Sequence, residues 1–262
     1  MIALIDGDLI AYRCAAASEN EEDWIAISRA NESIERILNS IKATDFQVWL
    51  SDTAANNFRY QLYPEYKANR PPERPRWLSK LKTYLSVVWY AKVADGQEAD
   101  DALGIAQCTD SSETIICSID KDMLMIPGLH YNFVKELVIE QSYIGGLRHF
   151  YKQCMSGDRV DNIIKPAHLK GFGDKKISSM LDPVDTEEEM FELVREKYNN
   201  NNLLLLNGRL LWVRRKEKEL WEFPTTQPET EDTPESSLSI QNKQDPSLDV
   251  ILMEQSGIPK VG

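Results

Sequence analysis

Acidic side chains recur in this sequence where short apolar runs end, a placement that suits cation binding. The runs 2–5, 46–50 and 114–119 are each followed by aspartate: Asp6, Asp8, Asp52, Asp120 and Asp122. Further acids stand in the segments 97–104 and 156–163: Glu98, Asp100, Asp101, Asp158 and Asp161. An oxygen-only set favours hard divalent cations such as Mg²⁺ or Mn²⁺ over zinc. Two such ions, roughly 3.5–4 Å apart, can activate water and stabilise the leaving oxygen in phosphodiester cleavage.

Helix capping is the ordinary alternative for each of these acids. A carboxylate just before a helix accepts hydrogen bonds from its first N–H groups, and the helix dipole favours acids in the first turn. Capping needs one or two acids, whereas the segment 98–101 holds three. A third like charge is repulsive unless a positive group lies nearby. Because the pattern also repeats after three apolar runs, we expect the acids to converge on bound cations.

Aromatic and basic side chains alternate in the segment 58–70 of this otherwise acidic chain. Lys67 and Arg70 are three residues apart, close enough to contact one phosphodiester together. Tyr66 could stack on a terminal base, an interaction worth about 1–3 kcal/mol, and Arg59 is a further candidate DNA contact. The alternative is a solvated surface turn that ends at Pro71.

A glycine-rich turn within residues 156–182 offers a second basic surface. Gly171 and Gly173 expose backbone N–H groups, and the turn carries Lys170, Lys175 and Lys176. Such a turn between two helices can hold a duplex backbone without contacting bases.

The three histidines lie in no catalytic pattern, and no phosphate loop or nucleophile elbow is present in the sequence.

Short buried strands alternate with helical periodicity, which predicts an α/β fold with a mostly parallel sheet. Apolar spacing predicts helices near 24–41 and 77–90, and further helices at 187–198 and 203–212. In such sheets, ligands bind at the carboxyl ends of the strands, where the aspartates stand. We predict a nuclease-like domain over 1–155, a helical region over 156–224 and a disordered acidic tail over 225–262. Residues 248–261 are apolar again, as a frayed tail or as a docking peptide for a protein partner.

Composition excludes several classes of protein. The 42 acidic against 30 basic residues give a net charge of −12, which opposes nucleic-acid binding unless cations neutralise a local acidic cluster. No apolar stretch approaches the roughly 18 residues that cross a bilayer, and the first residues do not resemble a signal peptide. Four scattered cysteines indicate a reducing compartment. We therefore expect a cytoplasmic protein, in the host cytoplasm if it is viral, without membrane contact.

Seven motifs in order resemble the structure-specific 5′-nucleases, the flap endonucleases and 5′→3′ exonucleases, and above all the short bacteriophage 5′→3′ exonucleases. They cover roughly residues 1–180: DGDLIAYR at 6–13, SD at 51–52, FRYQLYPEYKANR at 58–70, EADD at 98–101, SIDKDM at 118–123, GDRVDNI at 157–163 and GFGDKK at 171–176. The resemblance implies a PIN-like fold with a helix–three-turn–helix DNA-binding element at 171–176. It also implies a K⁺ ion held by main-chain oxygens there, as in relatives.

The resemblance further implies roles for single residues. Lys67 and Arg70 match residues that contact the scissile phosphate, with Asp6 and Asp120 beside them in catalysis. The first metal position is implied for Asp6, Asp52, Glu98, Asp100 and Asp120. The second is implied for Asp122, Asp158 and Asp161. Asp101 matches the last acid of the EADD-type motif, and Asp8 lies outside the most widespread pattern.

The sequence departs from many relatives in one segment. These relatives carry a long helical arch, through which a single-stranded 5′ end threads. Here only 27 residues separate Arg70 from Glu98, and the first six are rich in proline. That spacing favours an exonuclease over a flap cutter.

We therefore expect a divalent-metal-dependent 5′→3′ exonuclease that acts on duplex DNA at 5′ ends, nicks or gaps, with removal of RNA primers from RNA–DNA hybrids as an extension. The alternatives are a flap endonuclease, a PIN-type ribonuclease and a non-catalytic DNA-junction binder. A metal phosphatase is more distant, because it would not explain residues 66–70.

Overall fold

A computed structural model of the protein describes residues 1–110 and 113–224. Its centre is a six-stranded sheet in the order β3-β2-β1-β4-β5-β6. All neighbours pair in parallel except β5 and β6, which are antiparallel. The strands are β1 (Ile2–Asp6), β2 (Asp45–Ser51), β3 (Lys92–Ala94), β4 (Thr114–Cys117), β5 (Gly128–Asn132) and β6 (Leu137–Gln141).

Nine α-helices flank or follow the sheet in the part of the chain that the structure describes. They are α1 (Gly7–Ala17), α2 (Asp23–Ile41), α3 (Phe58–Leu62), α4 (Leu78–Val88), α5 (Ala99–Thr109), α6 (Tyr143–Ser156), α7 (Asp174–Leu181), α8 (Glu187–Tyr198) and α9 (Asn201–Leu211). Two short 3₁₀ helices lie at Lys121–Met125 and Ala167–Leu169.

Side-chain alternation along β1 assigns the helices to two layers. Ala3 and Ile5 face a core that contains side chains of α1, α2 and α4. Leu4 points the other way, into a core with Leu103 of α5 and side chains of α6 to α9. β1 is paired on both edges and buried on both faces, as a central strand of a parallel sheet is. It ends at Asp6, and this acid is thereby held at the sheet's carboxyl edge.

The close approach of α1 to β2 requires glycine directly after Asp6. A Cβ atom on Gly7 would lie 2.7 Å from the main-chain oxygen of Trp49, so a side chain would push the helix away from the strand. Asp6 and Gly7 therefore combine a carboxylate with the tight strand-to-helix turn that positions it.

The predicted α/β fold with a mostly parallel sheet is confirmed. The predicted strands correspond to β1, β2 and β4. The other three were not predicted, because β3 has only three residues, β5 (GLHYN) has no continuous apolar run and β6 is largely exposed. Predicted helices 187–198 and 203–212 correspond to Glu187–Tyr198 and Asn201–Leu211.

The helix–three-turn–helix element is not confirmed. Residues 157–166 after α6 form turns and an isolated bridge, and one 3₁₀ turn, Ala167–Leu169, precedes the glycine turn. Only α7, on the far side of the turn, is an α-helix. Pro166 and the bridge between Asp158 and Ile163 account for the missing helix, since a paired extended segment cannot also be helical.

The domain boundary at 155/156 stays a prediction, and α6 packs against helices on both sides of it. The predicted disordered tail and the candidate docking peptide at 248–261 lie outside the described residues. Within the described residues, no helix is both long and apolar enough to span a membrane.

Candidate active site

Asp6 and Asp120 meet at the carboxyl edge of the sheet through a serine. The Ser118 hydroxyl donates to Asp6 Oδ2 at 3.1 Å and accepts from the Asp120 backbone N–H at 3.1 Å. Each aspartate also caps a helix, because Asp6 Oδ1 accepts from Leu9 N–H and Asp120 Oδ1 from Asp122 N–H. Capping and metal binding are thus compatible, since the cap occupies only part of each carboxylate.

The start of α5 brings two more acids to this edge. The Ser51 hydroxyl, at the end of β2, accepts from the Ala99 backbone N–H at 2.9 Å and docks the first turn of α5 on the sheet. Glu98 is the N-cap of α5, and Asp100 lies within its first turn. Asp100 thereby stands close enough to Asp6 and Asp120 for their charges to raise its pKa.

Three of these carboxyl groups have pKa values well above the ordinary range. Burial raises the pKa of Asp6 to about 7, with the charges of Asp8 and Asp120 acting in the same direction. Burial and the neighbouring Asp6 and Asp120 raise the pKa of Asp100. Burial and Asp120 raise the pKa of Asp122 to about 6. Asp122 Oδ1 is also buried without a hydrogen-bond partner. The charged forms of these three carboxyl groups are therefore disfavoured, and among the described residues none of the three forms an ion pair.

Asp8 and Asp52 stand apart from that group. Lys82 Nζ, on α4, lies 2.6 Å from Asp8 Oδ1, while Asp8 Oδ2 accepts a hydrogen bond from Ser51 N–H at 2.9 Å. Asp52 accepts from the Gly96 and Thr53 backbone N–H groups, and these bonds lower its pKa. Both acids are held by partners of their own, and Asp8 already has a cationic one.

Lys67 and Arg70 lie on a loop that is joined to the loop carrying Asp158 and Asp161. Lys67 N–H donates to the main-chain oxygen of Asp161 at 3.0 Å, and the Asn69 side chain donates to that of Arg159 at 3.0 Å. Lys67 has a φ of +58°, a left-handed conformation that costs energy in a non-glycine residue and occurs preferentially at functional sites.

The side chains of this double loop form ion pairs with the acids. Lys67 Nζ pairs with Glu98 Oε1, and Arg70 Nη2 lies 2.5 Å from Asp161 Oδ1. Burial alone would raise the pKa of Glu98, but the charges of Lys67 and Arg59 outweigh it and lower that pKa to about 2. Asp158 accepts from the Val160 and Asp161 N–H groups and shapes the second loop. The two predicted phosphate-binding bases therefore lie beside the carboxylates.

Three assigned roles do not fit the observed positions of their residues. Arg59 is only 2% exposed, and its guanidinium donates two hydrogen bonds to Asp101, so it does not reach DNA. Asp101 is fully buried and consumed by that pair, so it is not free to bind metal. Tyr66 is 3% exposed and its hydroxyl donates to Glu98 and Asp161, so its ring is not available for base stacking. The sequence could not show that these side chains point inward.

The glycine turn is exposed, as a duplex-binding surface requires. Its predicted contact residues Lys170, Gly171, Gly173, Lys175 and Lys176 are all exposed. Gly171 has a φ of +88°, which explains the need for glycine there.

Several supporting residues escaped the sequence reading. Ser118 links Asp6 to Asp120, and Asn57 donates to Glu98 Oε1 at 3.2 Å. Ser118 directly precedes the IDKDM segment, which was the only available signal for it. Asn57, whose side chain caps α3, gave none.

The donor chemistry of the site suits a divalent cation, although a complete ligand set is not preformed. Within the described residues, no three Asp, Glu, His or Cys side chains are grouped so that they could hold one ion. The crowded carboxyl groups and the unpartnered Asp122 oxygen are nevertheless what a bound cation would neutralise.

Comparison with known proteins decides the family. Residues 1–145 match the family model described as the 5′-3′ exonuclease, N-terminal resolvase-like domain. The chain belongs to this 5′-3′ exonuclease family. The predicted 5′-nuclease family is therefore confirmed.

Two curated relatives agree with this assignment. A 5′-3′ exonuclease of Mycoplasma pneumoniae is 28% identical over 218 residues, which cover 72% of this chain and 74% of that protein. DNA polymerase I of Rhizobium leguminosarum is 28% identical over 194 residues, 65% of this chain. The chain spans only 19% of that polymerase's length.

Solved structures confirm the fold. The bacteriophage T5 5′-exonuclease with bound divalent metal ions superposes with a TM-score of 0.62 at 16% identity, covering 80% of this chain and 88% of the other. A variant of the bacteriophage T5 flap endonuclease, in a complex with DNA and metal ions, has a TM-score of 0.59 with the same identity and coverage. This likeness establishes the PIN-like arrangement of the sheet and its helices.

Proposed function

We propose that this chain is a divalent-metal-dependent 5′→3′ exonuclease. It hydrolyses phosphodiester bonds of duplex DNA at 5′ ends, nicks or gaps. One observation supports the proposal above the others. Four carboxyl groups that form no ion pair within the described residues, Asp6, Asp100, Asp120 and Asp122, lie at the carboxyl edge of the sheet beside the bases Lys67 and Arg70.

Asp6, Asp100 and Asp120, with Glu98 and Asp52 nearby, would hold one divalent cation; Asp122, Asp158 and Asp161 would hold a second. Cations held by these residues would supply activation of a water molecule and stabilisation of the departing oxygen. The chain's own residues position the substrate. Lys67 and Arg70 supply the positive charge that stabilises charge developing on the scissile phosphate. Glu98 and Asp161 hold these two bases at the site until phosphate competes for them.

Action at duplex ends, rather than on a threaded strand, is supported by α4. In flap cutters that thread a strand, the corresponding segment stands away from the body as an arch. Here Leu81 and Leu85 of α4 are fully buried in the core beside α1 and α2, and Lys82 pairs with Asp8. A helix held in this way leaves little chain for an arch over the site.

A nuclease assay on two 5′-labelled substrates tests the proposal. One substrate is a blunt duplex and the other carries a long single-stranded 5′ flap, each with Mg²⁺ or EDTA. We expect labelled mono- or short oligonucleotides from the duplex in Mg²⁺ only. Cleavage mainly at the flap base would replace the exonuclease by a flap endonuclease. Binding of both substrates without cleavage would replace it by a non-catalytic junction binder.

Further parts of the proposal need separate substrates. An RNA-primed duplex tests primer removal, and single-stranded RNA tests the PIN-type ribonuclease alternative. Mg²⁺ and Mn²⁺ are the proposed metals, with K⁺ at the glycine turn, where replacing K⁺ by Na⁺ should weaken duplex binding.

A cytoplasmic location is supported by the four cysteines, all of them free thiols.

A further inference from the structure

The end of α9 and the residues after it form a strap, residues 210–215, which runs along α5 from its first turn toward its end. The strap lies outside the residues 1–145 that match the family model. Its path is close: a Cβ atom on Gly104 of α5 would stand 2.5 Å from the main-chain oxygen of Arg214. Glycine at position 104 is therefore what allows the strap to lie against α5.

The strap reaches the first turn of α5 through a buried ion pair. Arg59 donates from Nε to the Leu210 main-chain oxygen at 2.9 Å and from Nη2 to that of Trp212 at 2.8 Å. Its Nη1 and Nη2 lie 2.6 and 2.9 Å from the two carboxylate oxygens of Asp101. The same carboxylate accepts from Glu98 N–H at 3.1 Å and from Arg214 N–H at 3.1 Å. Asp101 thus joins the strap to the first turn of α5, where Glu98 and Asp100 lie.

The Arg214 side chain makes a second, independent connection. Its Nη1 donates to Oε1 of Gln97 at 2.8 Å, and Gln97 directly precedes Glu98 in the chain. Its guanidinium stacks 3.7 Å above the Phe58 ring, next to Arg59. Nε donates to the Glu219 main-chain oxygen at 2.8 Å, so the side chain is held at three sides. One residue of the strap therefore fixes both segments that carry site residues, 97–101 and 58–70.

We propose that Arg214 is a positioning residue for the active site. Through Gln97, Phe58 and the Arg59–Asp101 pair, it holds the first turn of α5 so that Glu98 and Asp100 face Asp6 and Asp120. The inference rests on the proposed function, because it assigns Arg214 a role in that same carboxylate site. It also makes the C-terminal part of the chain necessary for full activity, although the motifs end before it.

Directional hydrogen bonds explain why a guanidinium serves here better than an apolar side chain. Apolar packing would stabilise the strap but would leave α5 free to rotate or slide by a fraction of an ångström. A planar guanidinium with several donors fixes both position and orientation. Metal ligands need such fixation, and loss of supporting partners typically lowers metal affinity or activity about 10–100-fold.

The test compares two arginine variants of the full chain, Arg214→Met and the control Arg209→Met. Arg209 is a partly buried arginine of α9, directly before the strap, which donates to the Trp221 main-chain oxygen and pairs with Glu222, away from the carboxylates of the site. For each protein we would measure Tm, kcat and KM on the blunt duplex, and the Mg²⁺ Kd by titration calorimetry.

For Arg214→Met we expect kcat to fall and the Mg²⁺ Kd to rise, each about 10-fold or more, with KM changed less than about twofold. Arg209→Met should lower Tm but keep kcat and Kd within about twofold. Equal losses of kcat in both variants, or an unchanged Kd in Arg214→Met, would overturn the inference. If the wild type cleaves nothing, the proposed function fails, whereas the ratio of Mg²⁺ Kd values still decides the role of Arg214.

Discussion

Acidic residues only a few positions apart behave in opposite ways on the two sides of this site. On one side, Asp6, Asp100 and Asp122 have raised pKa values, because burial and like charges outweigh the attraction of the bases around them. On the other side, Glu98 and Asp101 are ion-paired to Lys67 and Arg59. Within the described residues, the first group forms no ion pair, whereas each acid of the second has a base of the protein as its partner.

The difference separates acids suited to bind an external cation from acids that hold bases and backbone of the protein in place. Buried acids of the unpaired side are destabilising until an external cation arrives, which suits a binding site. On the paired side, Asp101 fixes Arg59 and the strap backbone in place, which suits a scaffold, while Glu98 holds Lys67 until a cation or phosphate competes. Substitutions on the two sides should therefore differ in their effects on turnover and on stability.

The largest effect on turnover is expected from Asp120→Asn. The substitution removes a negative charge from the unpaired side but keeps an oxygen that can accept from Asp122 N–H. Because loss of supporting partners already costs up to about 100-fold, loss of a ligand should lower kcat by at least that factor. Single-turnover cleavage and duplex binding would be measured together.

Asp45→Asn is the matched control, since Asp45 is exposed at the opposite end of β2. It should leave kcat unchanged. If Asp120→Asn weakened duplex binding as much as turnover, Asp120 would serve substrate binding rather than metal binding.

The largest effect on stability is expected from the paired side, with Arg59→Met. The variant leaves Asp101 as an uncompensated buried charge, and breaking a buried ion pair in this way costs about 3–5 kcal/mol. Urea unfolding monitored by tryptophan fluorescence measures the loss. Arg13→Met, at an exposed arginine of α1, should change the free energy of unfolding by less than about 0.5 kcal/mol. A comparable loss in both variants would show that the Arg59–Asp101 pair is no scaffold.

The stability of the folded protein should depend on pH through the unpaired side of the site. The pKa of Asp6 is raised from 3.8 to about 7 in the folded protein, so between these values the folded state holds a proton that the unfolded state has lost. Stability therefore falls as pH rises from about 4 through about 7. Thermal unfolding of the EDTA-treated protein at pH 5 and pH 8 measures this trend.

Two further conditions check the cause of that trend. Asp6→Asn should make the pH dependence less steep, because one of the three carboxyl groups with raised pKa values is removed while Asp100 and Asp122 remain. Mg²⁺ at pH 8 should raise the Tm of the wild type more than that of Asp6→Asn. A wild-type Tm that increases from pH 5 to pH 8 without metal would contradict the assignment of Asp6 to the unpaired side.

The sequence predicted the unpaired side better than the paired side, for a physical reason. An aspartate after a buried strand must lie at the carboxyl edge of a parallel sheet, so Asp6 and Asp120 could be placed from local pattern alone. The partner of Asp101, by contrast, is 42 residues away, and the strap is 113 residues away. Nothing local in FRYQL shows that Arg59 points inward while Lys67 faces the site.

The smallest effect is expected from Asp8→Asn, which tests whether Asp8 has a different role from Asp6 in the same motif. The amide side chain would keep an acceptor for Ser51 N–H and lose only the charge that pairs with Lys82, a half-exposed ion pair worth at most about 1 kcal/mol. Since Lys82 already supplies a cation, kcat should stay within about threefold of the wild type. Lys82→Met should match it in stability. If Asp8→Asn instead reduced turnover as severely as Asp120→Asn, Asp8 would exchange Lys82 for metal in the working enzyme, as proposed for the ion-paired Glu98 and Asp161.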